Sequence, residues 1–145
     1  MPTITPESKK AFVDALTQIM GTVSGPGPAP LSVATGFLIT AHGAYESGWG
    51  TAKAAREGYN FWNLTAGTIW AGEVVLGNDT EYEAGKSPSR KIVQRFRKYK
   101  DPSSAVVDYL KFLSSMRYRD AKAKLMKGDP NFVVDLGAFK YGPDG

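Results

Sequence analysis

Phe37-Leu38-Ile39-Thr40-Ala41-His42-Gly43-Ala44-Tyr45-Glu46-Ser47-Gly48-Trp49-Gly50 is the stretch around which the chain is organised. Small and apolar residues at Phe37, Leu38, Ala41 and Ala44 recur at helical spacing, and Gly48 and Gly50 mark a stop. The stretch therefore reads as the end of a buried helix with one carboxylate, Glu46, in its last turn. Carbonyls in a last turn are unpaired and carry partial negative charge. That field opposes ionisation, as does an apolar neighbourhood. A glutamic acid that keeps its proton is what general-acid cleavage of a glycosidic bond requires. Taken alone, a single Glu at a helix end is more often a solvated surface residue.

The surrounding string sharpens the reading. Ala41–Gly50 resembles the Ala-Gln-Ala-Ala-Leu-Glu-Ser-Gly-Trp-Gly signature of the bacterial glucosaminidases, glycoside hydrolase family 73, which include flagellar rod-associated enzymes, autolysins and phage lysins. The family's catalytic acid falls on Glu46, while His42 and Tyr45 depart from the commonest residues. Further on, Asn60-Phe61 match, and Trp62-Asn63 replace the usual Phe-Gly pair. Thr80-Glu81-Tyr82-Glu83-Ala84-Gly85 resembles Thr-Glu-Tyr-x-x-Gly, which puts Glu81 in place of the second carboxylate. Arg95–Tyr99 resembles Phe-Arg-x-Tyr, and Arg117-Tyr118 matches an Arg-Tyr pair. The tail from Phe139 resembles Ala-Gly-Tyr-Ala-Thr-Asp-Pro and puts Tyr141 on a tyrosine that lines the family's cleft. The family continues into one more helix, whereas this sequence stops at Gly145.

Composition sets the bounds. A chain of 145 residues suits one domain, 1–145. No run of about 18 apolar residues offers a membrane span. The N-terminus has no basic segment followed by an apolar one, so no cleavable signal peptide is read. With no cysteine and one histidine, no metal cluster is expected. There is no phosphate-binding glycine motif or Ser-His-Asp arrangement, so no cofactor is expected either. The net charge of +4 is uneven: residues 86–127 hold 13 Lys/Arg against 3 Asp/Glu, and residues 46–83 hold 6 Asp/Glu against 2 Lys/Arg. Such a basic flank is mostly a solvated helical face, but it suits an anionic polymer such as the bacterial wall. The acidic, aromatic centre argues against nucleic acid. Nothing suggests an oligomer, so a monomer is expected.

Thr5 and Pro6 open a helix over about 6–21, and Ser24–Pro30 is a loop. The central helix runs from about Leu31 or Ser32 to Ser47, and a short one follows over 51–57. Residues 68–99 read as a small β-lobe, with strands at Thr80–Glu83 and Lys91–Arg97 and turn signals at Gly77-Asn78-Asp79 and Ala84–Pro88. Strand alternation puts Asp79, Glu81 and Glu83 on one face. Asp101 or Ser103 opens a helix with an apolar stripe of Val106, Tyr109, Leu110 and Leu113. A basic helix follows over 119–127, then a last one carrying Phe132, Val133, Leu136 and Phe139 inward. Phe61 reads as core. Trp62 reads either as core or as a sugar-stacking wall. His42, four residues before Glu46, can touch it and reads as a packed, hydrogen-bonded histidine.

The resemblance implies an α+β, lysozyme-like fold, with a helical lobe and a small β-hairpin lobe flanking a groove. It implies a peptidoglycan endo-β-N-acetylglucosaminidase acting at the cell wall on glycan strands. Glu46 would be the acid and Glu81 the second carboxylate, with Glu83 its alternative in that role, and Trp62, Asn63, Trp70, Glu83, Tyr118 and Tyr141 would be substrate-binding candidates. Carboxyls about 6.5–9.5 Å apart suit inversion through water, and about 5–5.5 Å suits a covalent intermediate. Two other readings stand beside it: a muramidase or lytic transglycosylase on the same fold, or a non-catalytic wall-binding module of a phage or flagellar assembly.

Overall fold

The computed structural model describes residues 3–23, 31–81 and 90–140, with only the backbone at 78–81, 90–91 and 138–140. Helix α1 (Pro6–Met20) begins at Thr5, whose hydroxyl and that of Ser8 each accept from the other's backbone N–H. Helix α2 (Val33–Ser47) is capped by Ser32. A short α3 (Lys53–Gly58) leads to an irregular segment and then to the strands β1 (Val74–Glu81) and β2 (Arg90–Arg97). Helix α4 (Pro102–Phe112) starts at Asp101, a 3-10 turn covers Met116–Tyr118, and α5 (Arg119–Met126) and α6 (Phe132–Lys140) follow. The expected loop over Ser24–Pro30 and the turn over Ala84–Pro88 lie outside the described residues.

Helix α2 is the axis of the helical body. Ile39, Trp62, Tyr109, Leu125 and Phe132 meet in one buried cluster around it. The expected inward stripe is corrected in part. Phe37 is 69% exposed and Ala41 is exposed, whereas Gly36, Ile39, Thr40, Gly43, Ala44 and Ser47 face inward. The reason is close approach. A Cβ on Gly36 would lie 3.2 Å from Cβ of Met20, and one on Gly43 would lie 3.2 Å from Nε1 of Trp62. Small residues fit where α2 is clasped from two sides, so Phe37 turns outward while Ile39 is the large apolar side chain that the helix turns into the core. The Thr35 hydroxyl fixes the opposite end by donating to the Leu125 carbonyl at 2.8 Å.

The two strands pair antiparallel from Val74↔Arg97 to Glu81↔Arg90. Strand β1 thus begins six residues before the expected Thr80, because Gly77-Asn78-Asp79 is strand rather than turn. Phe96 explains the glycine: its ring lies where a Gly77 Cβ would be, 2.8 Å away. An aromatic ring covering a strand glycine replaces the missing side-chain packing.

The hairpin is pinned at its open end. Arg97 is buried, with Nε donating to the Thr65 carbonyl at 3.0 Å and Nη1 to Asp108 at 2.8 Å. Its guanidinium lies 5.3 Å from the Trp70 ring and 5.5 Å from Phe112. Tyr99 donates to the same Asp108 carboxylate. Asn60, fully buried, donates to the carbonyls of Leu64 and Arg97 and accepts from the Leu64 N–H. No helix of the described residues is long and apolar enough to cross a membrane.

Candidate active site

Glu46 sits one residue before the end of α2, and the chain behind it turns sharply. Gly48, Trp49 and Gly50 all have left-handed backbones, with φ of 57°, 58° and 81°. The motif explains how that turn is held. The Ser47 hydroxyl donates to the Gly43 carbonyl at 2.6 Å and accepts from the Gly50 N–H at 2.8 Å. Gly48 and Trp49 N–H groups both return to the Ala44 carbonyl, closing the helix. Trp49 is held by an edge contact with Phe12, ring centroids 6.1 Å apart, and by Lys9 over its face at 5.1 Å.

The Glu46 side chain is 11% exposed and borders a groove of about 470 Å³. Tyr45 and His42 line it from α2, and Pro130, Phe132 and Leu136 from the opposite wall. Two side chains fix the acid from behind. Asn63 donates from Nδ2 to the Glu46 main-chain carbonyl at 2.8 Å, which satisfies one of the helix's orphan carbonyls. His42 Nε2 lies 3.4 Å from Glu46 Oε1. On its other side, His42 Nδ1 is 2.8 Å from the Tyr109 hydroxyl. Tyr109 is fully buried, and burial together with the nearby Glu46 charge holds its phenol well above the usual range.

The remaining candidates divide. Asn63 reaches Glu46, but through the backbone. It adopts φ 52°, the conformation glycine takes and asparagine tolerates, so it fills the family's glycine position without disrupting it. Trp62 as a sugar-stacking wall is corrected, because it has 0% exposure. Its indole stacks on Tyr109 at 4.4 Å and donates to the Ile39 carbonyl at 3.2 Å. Tyr118 is corrected likewise; it is buried against Phe112, ring centroids 4.9 Å apart. Trp70 is half-buried at the hairpin base, its Nε1 donating to the Glu73 carbonyl at 2.8 Å, and it does not line the groove beside Glu46. Glu81 closes β1 opposite Arg90. Glu83 and Tyr141 lie outside the described residues, and no group of residues among those described could hold a metal ion.

Tyr109 and Asn60 do not show their tasks in the sequence. Tyr109 is legible there only as an apolar position of α4, since its partner His42 is 67 residues away. The resemblance marked Asn60 but not its task of tying the segment after α3 to β2.

A helical body that carries a two-stranded antiparallel hairpin, with a groove beside its buried central helix, is a lysozyme-like arrangement. The comparisons give the family. The family model for glucosaminidase, described as mannosyl-glycoprotein endo-beta-N-acetylglucosaminidase, matches residues 34–144, and the chain belongs to that family. Peptidoglycan hydrolase FlgJ of Salmonella typhimurium is 37% identical over 81 residues, covering 53% of this chain and 25% of that protein. The same protein of Escherichia coli K12 matches to the same extent. The chain therefore spans about a quarter of the length of the curated relatives it matches. Among solved structures, a C-terminally truncated glycoside hydrolase domain of Salmonella typhimurium FlgJ superposes with a TM-score of 0.62 at 27% identity, covering 94% of this chain and 89% of that one. The catalytic domain of the Listeria monocytogenes autolysin Auto shares the fold, with a TM-score of 0.60 at 17% identity over 94% and 85% of the two chains.

Proposed function

We propose that this chain hydrolyses peptidoglycan at the β-1,4 bond following N-acetylglucosamine, with Glu46 as general acid. The observation that carries the reading is Glu46 itself: one carboxyl at a groove edge, nearly covered, with its backbone held by Asn63 and its side chain next to His42. Glu46 delivers its proton to the glycosidic oxygen as the bond to the anomeric carbon lengthens. Positive charge then spreads over the sugar ring. Glu81 supplies the second carboxylate, activating a water on the opposite face or stabilising that charge. The resemblance of Thr80–Glu83 to the family's Thr-Glu-Tyr segment supports this choice, and Glu83, two residues on at the same strand parity, is the alternative. The peptidoglycan substrate follows from the hydrolases the chain resembles, and the basic segment 86–127 suits an anionic wall.

The test is mass spectrometry of borohydride-reduced digests of purified peptidoglycan. Wild type yields reduced N-acetylglucosamine ends, and Glu46→Gln lowers the rate by about 10²–10⁴-fold. Reduced muramic or anhydromuramic ends would instead assign the other glycan bond. No cleavage by wild type of walls from several bacteria would remove the hydrolase reading.

A further inference from the structure

We infer that His42 and Tyr109 form a buried positioning relay that determines which oxygen of Glu46 carries the acid proton. The inference rests on Glu46 being the acid, and it concerns residues that the family signature leaves open, since His42 stands where that signature has Gln.

Tyr109 is the buried end of the relay. Its hydroxyl is fully buried, and His42 Nδ1, at 2.8 Å, is its hydrogen-bond partner among the described residues. A buried phenol places its proton on an acceptor. Nδ1 must then be the unprotonated nitrogen, and neutral His42 carries its hydrogen on Nε2. That nitrogen lies 3.4 Å from Glu46 Oε1, a contact longer than a formed hydrogen bond. The opposite tautomer would leave the phenolic hydrogen without an acceptor among the described residues, and would set the Nε2 lone pair against a carboxylate oxygen. Catalytic hydrogen bonds that are long in a free enzyme shorten when substrate closes the site.

The consequence is asymmetric. Once that contact shortens, Oε1 accepts from His42 whether or not Glu46 is protonated, so the deliverable proton resides on Oε2. After delivery, the Nε2–H supports the carboxylate left behind. Among the described residues, the titratable groups facing His42 are Glu46 and Tyr45 from α2 and Tyr109 from α4, while α6 presents the uncharged edge of Phe132, ring centroids 5.8 Å from His42. His42 acts through Glu46 and is a positioning residue.

His42 is the chain's only histidine, so its ring nitrogens can be read without assignment. Nitrogen-15 NMR of the full chain at neutral pH should show the Nε2–H tautomer in wild type and a mixture in Tyr109→Phe, which keeps the ring stack on Trp62. The Nδ1–H tautomer in wild type would overturn the relay, whatever the kinetics show. On peptidoglycan, His42→Leu should lower kcat about tenfold with KM little changed, and should move the alkaline limb of the pH profile upward, as loss of a hydrogen bond to a charged group implies. His42→Gln should recover most of the rate, because a carboxamide accepts through its oxygen and donates through its nitrogen. Equal kcat and an unmoved profile in His42→Leu, with Glu46→Gln inactive, would overturn the relay alone. A Glu46→Gln variant as active as wild type would overturn the acid assignment and the relay's catalytic role with it.

Discussion

Asn63 carries two separable tasks, and two substitutions separate them. Its Nδ2 donates to the Glu46 carbonyl at 2.8 Å, and its backbone sits at φ 52°. Asn63→Gly removes the hydrogen bond, about 1 kcal/mol, while glycine holds the left-handed backbone without strain. The freer unfolded chain adds about 0.5 kcal/mol more. Asn63→Ala removes the same bond and leaves a Cβ in the left-handed region without the polar side chain that lets asparagine tolerate it, which costs a further 1–2 kcal/mol or so. The expected losses are thus about 1.5 kcal/mol for glycine and about 2.5 kcal/mol for alanine. For a domain of this size these correspond to roughly 5 °C and 8 °C in Tm. Paired thermal and urea denaturation, with unchanged m-values, measures both. Alanine no worse than glycine would refute the backbone argument. Losses under about 0.5 kcal/mol in both variants would refute the hydrogen bond as well.

Two other perturbations probe the frame. Gly58→Ala places a Cβ 2.9 Å from Val75 Cγ2 and 3.1 Å from the Lys98 backbone. Backbone cannot give way as a side-chain tip does, so about 1–3 kcal/mol of destabilisation is expected, read as a lower urea midpoint; an unchanged midpoint would show the contact to be slack. Tyr99 and Tyr109 are both raised above the ordinary phenol range, in each case chiefly by burial. A raised group contributes stability that is complete below the unfolded-state pKa of about 10 and is lost as pH climbs towards the folded one. Stability should therefore fall steadily above about pH 10, with tyrosinate absorbance rising together with unfolding, and Tyr99→Phe should flatten the decline. Ionisation of either buried tyrosine in the native state near pH 10 would contradict this.

Local chemistry is what the sequence transmits well. Thr5-Pro6 set the start of α1, and Ser47-Gly48-Trp49-Gly50 announced the turn behind Glu46 because each residue there bonds within a few positions. Long-range packing is what it hides. The glycine of Gly77-Asn78-Asp79 reads as a turn until Phe96, across the strand pair, is known to cover it. Trp62 offers the same side chain to a sugar or a core, and only its stack on Tyr109 decides. Phe37 looks buried by type, yet the glycines on the other face of α2 are what the core admits. The place of Glu46 at the helix end was legible, but the His42–Tyr109 contact behind it joins helices far apart in the chain.

The pinning of the hairpin at Arg97 has a mechanical meaning. From Val74 to Glu81 the strand advances seven residues, a lever arm of about 23 Å at the usual rise. Arg97, opposite Val74, is its fulcrum. A tilt of about 5° there would swing Glu81 by roughly 2 Å at that arm length. That sweep is comparable to the gap between the carboxyl spacings of the two hydrolytic geometries. With Glu81 as the proposed second carboxylate, the stereochemistry open to such a fold depends on a guanidinium at the far end of the partner strand as well as on the two carboxyls.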